Sequence, residues 1–367
     1  MHANAIKMVK RLALLVLLSQ LLGCGDEFGV TASPASEVKQ LTEGQVTGID
    51  SPFDGAITVF RGLPYAEPPV GDLRWQAPQP PANWSGVRVA DTFADSCHQP
   101  RHSSSFVWRR EDFPVSEDCL YLNIWAPKSA EKLPVMVWFH GGSHVSGQGH
   151  SLIFDGTTLA QHDVLVVTIN YRLGPLGFLA HPWLSEEAAS DSAVGTSGNY
   201  GLMDKIAALQ WVKRNIEVLG GDPQNVTIFG QSAGSQSVCS LMTAPSAQGL
   251  FHKAIGQSAA CVNQFTKADA NGHERGQALV DALGVSSIED LRSAEPDALL
   301  VAMTKSNWES ESRIVIDGRV LPRWPHEVFA AGEQSDIPLM LGFLADEGYE
   351  LFEVESALTE AELQGFL

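Results

Sequence analysis

Asn225-Val-Thr-Ile-Phe-Gly-Gln-Ser-Ala-Gly-Ser235 reads as a short apolar strand that runs into a glycine-flanked turn and then a helix. The β-branched and aromatic residues of 226–229 favour extended chain, and 232–242 holds no Pro and supports a helical run. Such a bend forces Ser232 into a strained conformation. Glycines two before and two after it let neighbouring chain pass close, so the hydroxyl is held out above a sheet edge as in a nucleophile elbow. Gly-x-Ser-x-Gly alone also fits an ordinary glycine turn ahead of a helix. The flanking strand and helix, with Gly220-Gly-Asp-Pro223 punctuating the approach, favour the elbow.

Working outward, 134–139 and 164–169 are short, almost wholly apolar runs, the pattern of strands covered on both faces. Residues 120–125 alternate as another strand, 254–256 and 339–341 are later ones, and 46–49 with 57–61 form a hairpin around Ser51-Pro-Phe-Asp-Gly55. Leu202, Ile206, Leu209, Val212 and Ile216 give 201–216 a helical stripe, and 273–303 is mostly helical. Strands alternating with helices predict an α/β fold, a mainly parallel sheet with helices on both faces and an N-terminal antiparallel hairpin. The length of 367 residues fits one catalytic domain over 38–367.

A net charge of −19, with no basic stripe, disfavours nucleic acid as a partner. The N-terminus carries Lys7, Lys10 and Arg11 before an apolar run over 12–22 that is too short to span a bilayer, so 1–23 reads as an export signal. Leu21-Leu-Gly-Cys24 resembles a bacterial lipoprotein box, which makes Cys24 the lipidated first residue, 24–37 a tether, and the mature protein a periplasmic or cell-surface lipoprotein. A plain secreted product is the alternative. Export permits disulfides, and the absence of Cys-x-x-Cys argues against structural zinc. Cys97 and Cys119 bracket a Pro-, Arg- and Ser-rich loop that a bridge would close, whereas Cys239, on the helix after the elbow, reads as a buried free thiol.

Acyl transfer needs a place for the negative charge of a tetrahedral intermediate, and backbone N–H groups in a glycine-rich turn supply it. His140-Gly-Gly-Ser-His144 follows a buried strand and is such a turn, so Gly142, Ser143 and Ala233, the residue after the nucleophile, are the candidate oxyanion donors. His140 and His144 have metal-ligand spacing only on a helix, which Gly141-Gly142 disfavours. No metal or organic cofactor is expected.

Phe60-Arg-Gly-Leu-Pro-Tyr-Ala66, Glu117-Asp-Cys-Leu-Tyr-Leu-Asn-Ile-Trp125, Asn170-Tyr-Arg-Leu-Gly174, Asn199-Tyr-Gly-Leu-Met-Asp204, Gly220-Gly-Asp-Pro223 and the elbow together resemble the type-B carboxylesterase and cholinesterase family. The likeness runs in order from about residue 40 to 352. It implies an α/β-hydrolase fold, a small-molecule ester as substrate, and Glu347 of Asp346-Glu-Gly348 as the triad acid. It also implies a Cys97–Cys119 bridge and a structural ion pair between Arg61 and Glu117. The chain departs from the family at Ser143, where a third glycine is usual and where a Cβ narrows the acyl pocket. Gln231 stands where Glu often precedes the nucleophile, which weakens the case for choline esters. Trp108, in the loop between the cysteines, is a candidate aromatic wall. A cholinesterase-like binding or adhesion protein without the chemistry is the rival reading. In chain order the family's catalytic His follows the acid, yet 348–367 contains no histidine and His326 is the last one. His140, His144 and His252 are upstream substitutes that the family does not place at the serine. The expectation is therefore an enzyme lacking its general base, as from a truncated gene, a frameshift or a fragmentary record, with apolar surface left exposed.

Overall fold

The computed structural model describes residues 37–101, 113–191, 195–261, 266–267, 272–308 and 313–347. The leader, Cys24, nearly all of the tether, Trp108 and residues 348–367 lie outside them.

An eight-stranded mixed sheet carries the fold. Its strands are β1 (Ile49–Asp50), β2 (Ile57–Pro64), β3 (Tyr121–Pro127), β4 (Leu133–Phe139), β5 (Leu165–Ile169), β6 (Gly221–Gln231), β7 (Lys253–Gln257) and β8 (Leu339–Gly342). They lie in the order β8-β7-β6-β4-β5-β3-β2-β1. From β8 to β5 all neighbours are parallel. The joins β5 to β3, β3 to β2 and β2 to β1 are antiparallel. All five residues of β5 are buried, as the unbroken apolar run requires of a strand covered on both faces.

The hairpin forms with Ile49 opposite Val59, but its first arm is shorter than expected. Residues Gln45–Thr47 instead join Lys39–Gln40 and Val87–Val89 in a separate three-stranded sheet. The break falls at Gly48, where a Cβ would lie 2.6 Å from the Thr58 methyl and 2.8 Å from Val59 O. Only a residue without a side chain lets the two sheets meet there.

Helix α1 (Tyr200–Asn215) buries the predicted stripe, with Leu202, Ile206, Leu209 and Val212 all inside. Helix α2 (Ala233–Thr243) follows the elbow and is buried along nearly its whole length. The predicted later helical stretch is α3 (His273–Leu283), α4 (Ile288–Ser293), whose Ser287 cap accepts from Asp290 N, and α5 (Pro296–Lys305). Edge strand β8 and the residues after it present Met340, Phe343 and Leu344 to solvent, at 66%, 62% and 76% exposure.

Cys97 and Cys119 are bridged. Cys239 is not a free thiol, as the helix position alone suggested: it is bridged to Cys261, with Cα atoms 4.9 Å apart. Helix α2 packs on β7, and the chain leaving β7 brings Cys261 back to the helix, a proximity that depends on strand order.

The expected Arg61–Glu117 pair is also replaced. The Glu117 carboxylate receives the fork of Arg74 through Nε, at 2.7 Å, and Nη2. Arg74 Nη1 also donates to the carbonyls of Arg292 and Ala294, at 2.7 Å each. Arg61 lies elsewhere, donating to Asp91 O and stacked 4.6 Å over Phe93. Arg74 is the better-fitted partner because its guanidinium is buried and Nε, Nη1 and Nη2 all donate to acceptors.

Candidate active site

Strand β6 ends at Gln231, helix α2 begins at Ala233, and Ser232 between them has φ 55° and ψ −120°. A side-chain-bearing residue at positive φ costs on the order of 1–3 kcal/mol and persists only where the surroundings enforce it. Here they do. Ser232 N donates to Gln257 O at 2.8 Å, which pins the elbow to β7. A Cβ on Gly230 would fall 2.6 Å from the Gly234 carbonyl carbon, and one on Gly234 only 2.0 Å from Phe139 O. Both glycines of the motif are thus demanded by backbone packed against backbone.

The turn after β4 lies directly against this elbow. A Cβ on Gly141 would meet Gln231 O at 2.9 Å and Ser232 Cβ at 3.2 Å. Gly142, Ser143 and His144 are three successive residues at positive φ, 103°, 54° and 58°. The Gly142 carbonyl accepts from Val145 N and Ser146 N, both at 3.0 Å, closing the turn on itself. The start of the turn is held from behind: Tyr171 donates its hydroxyl to His140 O at 2.7 Å and stacks on the His140 ring at 4.2 Å. On the far face of Tyr171, Lys205 Nζ sits 3.0 Å from the ring centroid. Burial drives the Lys205 amine well below its usual range, with nearby Asp204 opposing.

The candidate acid reaches the same edge of the sheet. Gln231, Gln257 and Gly342 are aligned across β6, β7 and β8. Glu347, just beyond β8, accepts from the Ser258 hydroxyl and from Leu344 N, and these two bonds hold its carboxyl below the usual range. Ser258 is itself at φ 62°, with its N–H on Gly342 O at 2.8 Å. Strands two apart are separated by about 10 Å, which leaves room for a third group between Ser232 and the acid.

His140, His144, His252 and His326 make contacts other than with Ser232. His140 Nδ1 is on Gly141 O at 2.8 Å, and burial pushes its pKa down to about 3. His144 Nε2 is on Ser237 Oγ at 3.1 Å. His252 accepts from Val226 N at the opposite end of β7, and five residues of strand put it about 16 Å from the elbow. His326 stacks on Trp324.

Sequence reasoning missed Ser258, Ser237 and Tyr171. For Ser258 a signal existed, since Gly256-Gln-Ser-Ala259 repeats Gly230-Gln-Ser-Ala233 at the end of the adjacent strand.

Residues 34–363 match the carboxylesterase family. The chain is 40% identical over 335 residues to a para-nitrobenzyl esterase of Bacillus subtilis, a match covering 88% of this chain and 66% of that one. It is 39% identical over 354 residues to a fumonisin B1 esterase of Sphingopyxis macrogoltabida, covering 92% and 63%. Among solved structures, a PNB esterase superposes with a TM-score of 0.77 at 36% identity, covering 90% of this chain and 68% of that one. The chain thus spans just under two thirds of the length of the two curated relatives. The family match over residues 34–363 and the likeness of the fold to a solved esterase show that this chain belongs to the carboxylesterase family.

Proposed function

We propose that this chain is a serine carboxylic ester hydrolase. Ser232 attacks the acyl carbon, the N–H groups of Gly142, Ser143 and Ala233 hold the oxyanion, and water then releases the acid from the acyl-enzyme. The strained Ser232, whose Cβ lies 3.2 Å from the position a Cβ would take on Gly141, carries this reading: its side chain starts against a turn that has no side chain there. Glu347, kept ionised by Ser258 and Leu344 N, serves as the acid that orients a base. Among the described residues no histidine hydrogen-bonds to Ser232, so ester turnover by these residues is expected to be impaired. Cys24 carries the lipid that anchors the protein at a membrane.

Labelling with a fluorophosphonate tests this. Free imidazole supplied in the buffer can act as a base toward Ser232, so labelling should accelerate with imidazole concentration and vanish in Ser232→Ala. The bonds that His144 and His252 make to Ser237 and Val226 favour a second reading, a binding protein that keeps the fold without the chemistry. An intact protein that never labels at Ser232, with or without imidazole, establishes that second reading.

A further inference from the structure

His144 is an imidazole where the fold asks only for an apolar ring. It is 2% exposed and packs 4.9 Å from the Phe178 ring and 6.3 Å from Tyr171. A buried polar group costs stability unless it is hydrogen-bonded, and a plain aromatic side chain would fill the same space without that cost. The polar edge of the imidazole faces the start of α2, with Nε2 3.1 Å from Ser237 Oγ and the Ala233 backbone also within hydrogen-bonding reach.

The chemistry of that contact fixes its direction. Ser237 has a single hydroxyl proton, and Oγ donates it to Ala233 O at 2.9 Å. The oxygen therefore faces His144 with a lone pair, and Nε2 carries the hydrogen. Burial holds the ring pKa well below its usual value, so this donor is neutral and permanent over the working pH range. The other end of the residue is equally constrained, because His144 O accepts from Gly174 N at 2.7 Å and its φ is 58°.

We infer that His144 is a positioning residue which ties the turn bearing Gly142 and Ser143 to the helix start bearing Ala233, through His144 Nε2–H to Ser237 Oγ and Ser237 Oγ–H to Ala233 O. The two halves of the oxyanion hole come from different elements, β4's following turn and α2. Ser143 is covalently next to His144, and Ala233 O is the terminus of the two-bond relay, so their spacing is set by it. This inference rests on the esterase reading above.

The test uses the full chain with His144→Phe, which keeps the ring and loses the donor, Ser237→Ala, the double variant, and His144→Gln, which can donate again. Two quantities are read: amide exchange of the segments 141–146 and 232–238, and the imidazole-supported rate of fluorophosphonate labelling at Ser232. Both segments should exchange faster in His144→Phe and in Ser237→Ala alike. Maximal labelling should fall on the order of 10-fold in each single variant, since losing one such donor outright costs 10²–10³. Half-saturation should not change, the double variant should be no worse than either single, and His144→Gln should recover most of the rate. Unchanged exchange, or faster exchange with an unchanged labelling rate, overturns the inference alone. A wild type that does not label overturns the esterase reading, and the positioning role of His144 in it.

Discussion

Replacing Cys239 and Cys261 together by alanine should destabilise the protein by an amount the chain geometry sets. The bridge closes a loop of 22 residues. Its removal releases chain entropy in the unfolded state worth about 3.4 kcal/mol at 25 °C. Unfolding entropy of about 2.1 cal/mol/K per residue, over the 330 residues of 34–363, makes that roughly a 5 °C drop in Tm. Cys97 and Cys119 provide an internal control, because their separation is also 22. Exposures are alike too, 1% and 6% for Cys239 and Cys261 against 2% and 1% for Cys97 and Cys119, so each pair of alanines removes sulfur from equivalent surroundings. The loop-entropy argument therefore predicts equal losses from the two double variants. Scanning calorimetry measures them, with mass spectrometry confirming two bridges in the wild type. A shift below about 1 °C for the Cys239/Cys261 pair refutes its bridging, and shifts differing more than twofold refute entropy as the dominant cause.

Arg74→Ala should cost on the order of 3–5 kcal/mol, because it strands the Glu117 carboxylate in a site only 12% exposed, whereas Arg61→Ala should cost about 1 kcal/mol or less; urea unfolding separates them. Acid should destabilise the fold early. Burial lowers His140 to about 3, His150 to about 4 and His144 well below its usual value, so from pH 6.5 downward the unfolded chain takes up protons that the native one refuses. Stability from these three is complete above pH 6.5 and falls toward about 4 kcal/mol per pH unit near pH 5; unfolding midpoints from pH 7 to 5 that do not fall exclude this.

What was legible in the sequence is what short-range chemistry fixes: strands from buried apolar runs, the α1 stripe, and the elbow from glycines that backbone contact requires. What was not legible depends on strand order. Cys261 meets Cys239 only because β7 lies beside β6, and Glu117 meets Arg74, 43 residues away, rather than the strand residue Arg61. Ser258 shows how far a motif goes by itself. Gly-Gln-Ser-Ala stands at the ends of both β6 and β7, with Gly230 opposite Gly256 and Gln231 opposite Gln257, and both serines sit at positive φ. The fifth position separates them. At Gly234 a Cβ would fall 2.0 Å from Phe139 O, so glycine alone lets α2 dock beneath β4 and lift Ser232 beside the oxyanion turn. At the other strand end the fifth residue is Ala260, and the described residues 258–261 form bends and a turn rather than a helix. Ser258 accordingly holds Glu347, while Ser232 faces the turn, so the glycine that admits the helix assigns the roles of the two serines.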